Sequence, residues 1–418
     1  MMKYKGTYIL IGAAAGYISG GPIYHRNKAV YMHKKGWKVY YVSCSYGKVY
    51  VNGLEQFLVN PCTFITKFAY LYSGNKRNKQ IDYIISLFPK LEGNVVIETG
   101  TDYTAYWGEL LAERLKAKHI IVFLDEYNDY VTSKVASFYK FKFDRNELAC
   151  IHATAMRKIF GSFWQINDEN AVSLPCYCSN SLEDYHSEIT NKIVRSKYNI
   201  GYIGRLEKTA VPELICGIKQ FASEFPKDTI SFICFGGGTE QLEREIVSSF
   251  SQYKNVEVYI TGFVFPIPKE AVCKCDVFFS AAGSATVSLK AGVPTVRLDQ
   301  YTNKPCGFLY DIENSRICKC SKGDSILDYL KWFFKEGYKP DSVPYSLSDE
   351  GEFMNRCFVK HDTFLGQSSR QFGYYDFSMI KLSFKEIILK NLISIVGNRY
   401  YKCFIPLISK DKHITGYI

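Results

Sequence analysis

The feature that most constrains this chain is a repeated alternation of short apolar runs with longer amphipathic stretches. In the first half, the runs GTYILIGAA (6–14), WKVYYVS (37–43), NVVIET (94–99) and HIIVFLD (119–125) have the length of buried strands and are separated by helix-like segments. Parallel strands covered by helices on both faces are uninterrupted apolar runs of this kind. The pattern therefore predicts an α/β fold with a parallel sheet.

The alternation starts again at YNIGYIGRL (198–206) and continues through TISFICFGGG, VEVYITGFV, CDVFFSAAG and PTVRLD. A chain of 418 residues is also too long for one ordinary core. We therefore predict two Rossmann-like domains that face a cleft. The expected divisions are an N-terminal domain over 1–178, a linker over 179–197, a C-terminal domain over 198–350 and a helical tail over 351–418.

Composition narrows the classes of partner. Hydrophobic residues at 47% and charged residues at 22% are globular values, and a net charge of +11 predicts an anionic partner. No basic cluster with interleaved aromatics has the spacing of a nucleic-acid module, so we expect no nucleic acid. The fourteen cysteines include three Cys-x-Cys pairs that lack the gap of zinc knuckles, which predicts a reducing cytoplasm and no structural metal.

Ligands of open parallel sheets bind beyond the carboxyl ends of the strands, so the loops there hold the candidate residues. Gly20 and Gly21 follow the first strand and would let a ligand approach a helix N-terminus. Arg205 and Lys208 follow a strand that ends in glycine. Asp125 and Glu126 lie where a catalytic base would be placed. Ordinary turns, solvent-facing cations and solvated carboxylates are the competing interpretations.

Five segments carry a family resemblance. They are GGPIYHRNKAVYMHKKGWKVYYVS, IGYIGRLEK, FICFGGGTEQLEREI, VEVYITGFV and CDVFFSAAGSATVSLKAGVPTV. In this order, over residues 8–300, they resemble the GT-B glycosyltransferases, especially the family 4 type of bacterial polysaccharide assembly. The resemblance implies transfer of a sugar from a nucleoside-diphosphate sugar, with the acceptor on the N-terminal domain, the donor on the C-terminal domain, and a tail that packs back on the N-terminal domain. The donor is a substrate, and no cofactor or metal is expected.

The resemblance also implies roles for single residues. Arg205 and Lys208 would bind the donor diphosphate, because fixed cations favour a leaving group that gains negative charge. The same role falls to glycines and hydroxyls at helix starts: Gly20, Gly21, Ser284 and Thr286. The nucleobase would contact Gly262, Phe263 and Val264, and the donor loop would turn at Gly236 and Gly237. Aromatic faces stack on sugars, and we expect Tyr17, Tyr103, Tyr106 and Trp107 in loops that face the cleft. We assign the acceptor to the last three of these residues.

One departure from the family leaves the mechanism open. Family 4 enzymes carry two glutamates separated by seven residues, and this chain has no glutamate between Glu270 and Glu313. With inversion, Asp125 or Glu126 would deprotonate the acceptor; with retention, which the motif order favours, the departing phosphate would take the proton. The missing pair also leaves two alternatives: a non-catalytic glycan-binding scaffold of a polysaccharide synthesis complex, or a nucleotide-sugar epimerase that uses His25 or His119.

The C-terminal tail has the composition of a membrane-surface helix. Lys381, Lys385 and Lys390 alternate with apolar residues at helical spacing, and residues 368–418 hold eight Lys/Arg against three Asp/Glu, a net of +5. Such a segment suits contact with anionic lipid, or packing over the N-terminal domain. We predict a cytoplasmic protein, peripheral at the inner face of the plasma membrane, that acts on a glycan or lipid-linked acceptor in capsule-type polysaccharide synthesis.

Overall fold

The computed structural model describes residues 4–100, 102–125, 131–299, 302–312, 316–343, 345, 349–367 and 373–396. The Glu126 of the predicted acidic pair lies outside these residues, as does the chain after residue 396.

The first half folds around a parallel sheet. Its strands are β1 (Gly6–Gly12), β2 (Lys38–Ser43), β3 (Leu58–Val59), β4 (Asn94–Thr99), β5 (Lys118–Phe123) and β6 (Leu148–Cys150). Their order in the sheet is β3-β2-β1-β4-β5-β6. The helices that connect and follow them are α1 (Gly20–Lys34), α2 (Gly74–Ser86), α3 (Asp102–Leu115), α4 (Ser133–Asp144) and α5 (Ala153–Phe160). In register, Ile9 of β1 lies between Tyr40 of β2 and Ile97 of β4.

Both faces of this sheet are covered, which is why its strands lack polar alternation. Ile9 and Ile11 of β1 belong to the core on one face, whereas Tyr8 and Leu10 belong to the core on the other. Successive side chains of a strand point to opposite faces. All four are fully buried, so a helix layer lies on each side and the predicted doubly wound sheet is confirmed.

The second half repeats this plan. Short elements precede and follow its first strands: β7 (Leu182–Glu183), α6 (Glu188–Lys192), β11 (Ile267–Pro268) and α9 (Lys269–Val272). The main strands are β8 (Tyr198–Ile203), β9 (Ile230–Phe235), β10 (Val256–Ile260), β12 (Val277–Ala281), β13 (Thr295–Leu298), β14 (Pro305–Leu309) and β15 (Cys318–Lys319), in the order β10-β9-β8-β12-β13-β14-β15. The covering helices are α7 (Ala210–Glu224), α8 (Glu240–Ser248), α10 (Ala282–Lys290) and α11 (Ile326–Phe334).

Most neighbours in this second sheet are parallel, and β14 and β15 at one edge are antiparallel. β7 and β11 form a separate two-stranded sheet. The predicted linker 179–197 thus contains β7 and α6, and the domain boundaries themselves stay a prediction.

The chain then returns to its first half. α12 (Asp349–Gln367) buries Phe358, whose ring lies 6.0 Å from that of Tyr24 in α1. The hydroxyl of Tyr31, also in α1, donates to Asp362 at 2.5 Å. Residues 373–380 then cross the far side of the first sheet, and α13 (Phe384–Val396) follows. The predicted return of the C-terminal segment to the N-terminal domain is therefore confirmed.

A buried ionic cluster lies beneath α12. Glu98, at the end of β4, accepts hydrogen bonds from the hydroxyls of Tyr8 and Tyr24, and the Nζ of Lys28 lies 3.7 Å away. Burial acts to raise the pKa of Glu98, but Lys28 and the two hydroxyls outweigh it and the pKa is lowered. Breaking such a pair leaves one uncompensated buried charge, so the cluster fixes α1 against the sheet.

Candidate functional site

Three predicted donor loops meet at the carboxyl ends of neighbouring strands, because β8 lies between β9 and β12. The amide of Leu206 donates to the carbonyl of Gly237 at 3.2 Å, which ties the loop after β8 to the loop after β9. The amide of Ile203 donates to the Oγ of Ser280 at 3.0 Å, which ties β8 to the strand before α10. Sequence positions far apart are thus brought to one edge.

Gly236 is required by the closeness of two of these loops. A Cβ at this position would lie 1.9 Å from the carbonyl oxygen of Gly204, a contact that no side chain can make. Gly237 has more space, and its added Cβ would meet the ring of Phe263 at 3.3 Å. The glycine loop after β9 therefore packs against the loop of Arg205 on one side and against Phe263 on the other.

Arg205 and Lys208 form a pair of cations on the loop after β8. The Arg205 guanidinium faces the ring of Tyr17, with 5.3 Å between them, so it points toward the loop after β1. Burial and the charge of Arg205 lower the pKa of Lys208, and the charge of the neighbouring Glu207 only partly opposes this shift. Within the described parts of the chain, neither cation forms a salt bridge with a carboxylate. Two adjacent cations without a carboxylate partner favour an anionic ligand.

The segment predicted to contact the nucleobase lies beside this pair. The Phe263 ring is 5.0 Å from the ring of Tyr50, which belongs to the first half of the chain. The carbonyl of Val264 already accepts a hydrogen bond from the Asn180 side chain at 3.1 Å, whereas Gly262 borders open space. Phe263 thus lies between the glycine loop and Tyr50, at the boundary of the two halves.

The start of α10 supplies fewer hydroxyl groups than predicted. Thr286 is 4% exposed, and its hydroxyl donates to the carbonyl of Gly283 at 2.8 Å, within its own helix. Ser284 is only half-buried. The first turn of α10 lies beside the start of the predicted linker, because a Cβ on Gly283 would lie 2.9 Å from the Oγ of Ser179. Ser284 is therefore better placed than Thr286 for a contact with a ligand.

The N-terminal half contributes the loop between β1 and α1. Gly20 and Gly21 are the first two residues of α1, as predicted for a helix-start site. An added Cβ would meet nothing within 4 Å at Gly21, whereas at Gly20 it would lie 3.3 Å from the Cβ of Cys178. Gly21 thus faces open space, and Gly20 is needed for close packing on the chain that leaves the first half.

Asp125 lies two residues after the end of β5, at the same edge of the first sheet. Burial of its carboxyl raises the pKa of Asp125, although the residue as a whole keeps an exposed surface. The Tyr17 phenol feels both the charge of Arg205 and that of Asp125. Tyr17 therefore contacts the cation of the second half and lies within the electrostatic range of the carboxylate of the first.

Two of the three predicted acceptor residues are in the core. Tyr103, Tyr106 and Trp107 lie in helix α3 and not in a loop, because the helix begins at Asp102. Tyr106 and Trp107 are fully buried, and the indole N–H of Trp107 donates to the carbonyl of Lys67 at 2.9 Å. Tyr103 is half-buried, 4.5 Å from the ring of Phe68. Buried rings cannot stack on a sugar, so Tyr106 and Trp107 are structural.

The two histidines considered for an epimerase are also core residues. His25 is 5% exposed, its Nδ1 lies 3.0 Å from the Tyr41 hydroxyl, and burial lowers its pKa to about 4. The His119 Nδ1 lies 2.8 Å from Glu109, and its Nε2 lies 2.9 Å from the Thr99 hydroxyl. Both rings are engaged inside the first half.

Sequence reasoning assigned no role to three residues at this edge. Tyr50 contacts Phe263, Asn180 binds Val264, and the Asn303 side chain accepts from the Thr209 hydroxyl at 2.8 Å. Asn303 belongs to the polar stretch QYTNK after β13. A polar stretch at the end of a parallel strand is the sequence feature that could have identified Asn303.

Two features are absent from the described ranges. No helix there is long and apolar enough to cross a membrane. No group of three or more His, Cys, Asp or Glu side chains there could hold a metal ion.

No family model and no curated protein sequence matches this chain. Solved structures do. A glycosyltransferase from Rickettsia africae is 11% identical, with a TM-score of 0.50 over 94% of this chain and 100% of its own. Anabaena Alr3699/HepE in complex with UDP and glucose is 10% identical, with a TM-score of 0.48 over 96% and 100%. The UDP-GlcNAc 2-epimerase of Neisseria meningitidis bound to UDP-GlcNAc is 11% identical, with a TM-score of 0.39 over 85% and 99%.

At such low identities, structural similarity shows the fold alone. The fold assignment rests on the glycosyltransferase from Rickettsia africae. Together with the two parallel sheets and the returning α12, it identifies the architecture. The chain has the GT-B fold: two Rossmann-like domains that face a cleft, with a C-terminal helical segment packed on the first.

Proposed function

We propose that this protein is a glycosyltransferase that moves a sugar from a nucleoside-diphosphate sugar to a glycan or lipid-linked saccharide in cell-surface polysaccharide synthesis. The observation that carries the proposal is the pair Arg205 and Lys208, which lies at a strand end, without a carboxylate partner in the described chain, opposite Tyr17. A diphosphate is an anion that matches two adjacent cations, and a guanidinium binds it in two places at once.

The donor would lie along the second sheet. Arg205 and Lys208 neutralise the diphosphate as the bond to the sugar breaks and the leaving group gains charge. The close turn at Gly236 and Gly237 lets the backbone approach the donor, and the amides at the start of α10, beside Ser284, face phosphate oxygens. Phe263 and the neighbouring Gly262 border the nucleobase.

We favour retention of the anomeric configuration. The acceptor oxygen bonds to the anomeric carbon on the face that the diphosphate leaves, and the departing phosphate takes the acceptor proton. The chain then supplies position and charge. Inversion would use Asp125 as the base, and the raised pKa of its carboxyl makes it a stronger base than an ordinary aspartate. The anomeric configuration of the product, read by NMR, decides between the two.

The non-catalytic scaffold remains the second candidate, because the chain lacks the paired glutamates of family 4 between Glu270 and Glu313. The epimerase has less support, since neither His25 nor His119 opens to the cleft. Nucleotide binding separates the transferase from the scaffold.

We also propose that the protein is cytoplasmic and attaches to the inner face of the plasma membrane. Three apolar side chains at the start of α13 are exposed: Phe384 at 78%, Ile387 at 45% and Ile388 at 40%. Lys381 and Lys385 are exposed beside them. An exposed apolar group flanked by lysines suits the interface of an anionic bilayer, where a lipid-linked acceptor of capsule synthesis would lie.

Thermal-shift titrations with UDP-, GDP- and TDP-sugars test the donor site. We expect one nucleotide family to raise the melting temperature of the wild type, and Arg205→Ala to weaken its binding by about tenfold or more. Arg195→Ala is the matched control, because Arg195 is an exposed arginine on the segment before β8. If no nucleotide stabilises the wild type, the scaffold replaces the transferase.

A further inference from the structure

The N-terminal half contains a groove of about 620 Å³ that has been given no role so far. It begins at the loops after β1 and β2, where Ala15, Ser45 and Gly47 line it. It ends at the edge strand β3 and the C-terminus of α2. The volume lies in the range of sites that enclose small organic ligands.

The groove is separated from the cleft by one segment, residues 45–50, which borders both. Ser45, Gly47 and Val49 line the groove, whereas Tyr50 contacts Phe263 on the donor side. This segment is fixed to the loop that carries Tyr17, because the amide of Gly16 donates to the carbonyl of Lys48 at 3.1 Å. The donor site and the groove thus share a wall one segment thick.

The lining has an unusual chemistry for this chain. None of the sixteen described residues that line the groove is charged, although 22% of the whole chain is. The hydroxyl and amide groups of the lining belong to Tyr40, Ser43, Ser45, Ser86, Gln56 and Asn60. All of these side chains except Asn60 donate to carbonyls of the chain itself, so it is their oxygens that would accept hydrogen bonds from a ligand. Apolar surface comes from Val49, Leu58, Val59, Pro61, Leu87 and Pro89.

This chemistry selects among ligands. Phosphates, nucleic acids and acidic peptides require cations, and the lining offers none. A sugar chain presents hydroxyls that bond to neutral donors and acceptors, together with C–H faces that pack on apolar side chains. An uncharged, hydroxyl-lined groove that opens beside a transfer site therefore suits a saccharide.

We infer that the acceptor is a neutral oligosaccharide, whose reacting unit lies in the cleft and whose further units follow this groove past Ser45 to Asn60. The inference rests on the proposed function, since it names the acceptor of the same site. It adds that the enzyme extends a chain and does not glycosylate a single sugar. An extended peptide or a second copy of this chain, paired to the edge of β3, is the other kind of occupant.

Binding to immobilised neutral glycans, from monosaccharides to hexasaccharides and including hexose and N-acetylhexosamine series, tests the inference on the full chain. We expect binding that grows with chain length in at least one series. Asn60→Trp should reduce it by about tenfold or more, because a large ring at this exposed lining position obstructs the groove. Thr63→Trp is the matched control, because Thr63 is equally exposed but does not line the groove.

The outcomes separate this inference from the proposed function. Nucleotide-induced thermal shifts should be the same in Asn60→Trp and in the wild type. The inference about the groove is overturned if a nucleotide binds but no glycan of any series does. It is also overturned if Asn60→Trp and Thr63→Trp lose glycan binding equally. Both results leave the proposed transferase unaffected. If glycan binding grows with chain length but no nucleotide binds, the inference about the groove is supported and the proposed transferase activity is excluded. A dimer that Asn60→Trp dissociates, seen by light scattering, assigns the edge to a second copy and overturns the inference.

Discussion

The guanidinium of Arg205 lies 5.3 Å from the centre of the Tyr17 ring, so the two halves of the protein touch at the residue assigned to the donor diphosphate. A cation held over an aromatic face gains about 0.5–1 kcal/mol at an exposed site. The ring therefore holds the guanidinium toward the cleft before a ligand arrives.

This contact predicts a graded effect at Tyr17. Tyr17→Ala should weaken nucleotide binding by about 0.5–1 kcal/mol, measured by calorimetry, because the guanidinium loses the ring that orients it. Tyr17→Phe keeps the ring and should bind nearly as the wild type does. Tyr46→Ala, which removes an exposed tyrosine from the next loop, serves as the control. Equal losses in the Phe and Ala variants would show that the hydroxyl, and not the ring, makes the important contact.

Two glycines should respond in opposite ways to alanine. Gly236→Ala should destabilise the fold by about 1–3 kcal/mol and weaken nucleotide binding, because its methyl would meet the Gly204 carbonyl. Gly21→Ala lies in a helix with open space and should stabilise the fold by about 0.5–1 kcal/mol. Urea unfolding measures both. If Gly21→Ala also weakens nucleotide binding without loss of stability, the diphosphate approaches the start of α1.

Acid should unfold the N-terminal half. Burial lowers the pKa of His25 to about 4 and that of His361 to about 3, so both are neutral in the fold but take up a proton on unfolding below about pH 6.5. The stability that comes from keeping both histidines neutral is fully present above that pH. It falls as the pH drops toward their pKa values in the folded protein. Each histidine should cost about 1.4 kcal/mol per pH unit in this window.

The test uses His361→Gln, which retains a donor toward the Pro175 carbonyl but does not titrate. Between pH 6 and pH 4, its free energy of unfolding should fall less steeply than that of the wild type. The exposed His33→Gln should follow the wild-type slope. Parallel curves for wild type and His361→Gln would contradict the prediction.

The exposed start of α13 should bind anionic vesicles. The double variant Phe384→Ser and Ile387→Ser should reduce co-sedimentation with phosphatidylglycerol vesicles, because it removes two exposed apolar groups that would enter the interface. Val359→Ser removes an exposed apolar side chain from α12 and should have little effect. Binding that salt does not weaken, or that both variants share, would exclude this part of α13 as the attachment surface.

The sequence was sufficient for the fold because apolar runs such as 6–14 report burial on both faces of a strand. It was less informative about where helices begin. α3 starts at Asp102, immediately after β4, so Tyr106 and Trp107 fall on its buried face although a strand-end loop was expected there.

Arg205 and Lys208 could be predicted from their position after a strand, whereas the contact of Arg205 with Tyr17 could not. Tyr17 meets Arg205, and Tyr50 meets Phe263, because two domains dock in one orientation. No periodicity in a single sequence encodes that orientation. The same holds for His25 and His119, whose burial depends on how helices pack on the sheet.

The return of α12 has a mechanical consequence. The polypeptide passes between the halves twice, once on the way to β8 and once on the way back to α12, so two separate stretches of chain join the halves. Proteolysis near residue 190 would leave the two fragments associated, because Phe358 and Asp362 still contact Tyr24 and Tyr31.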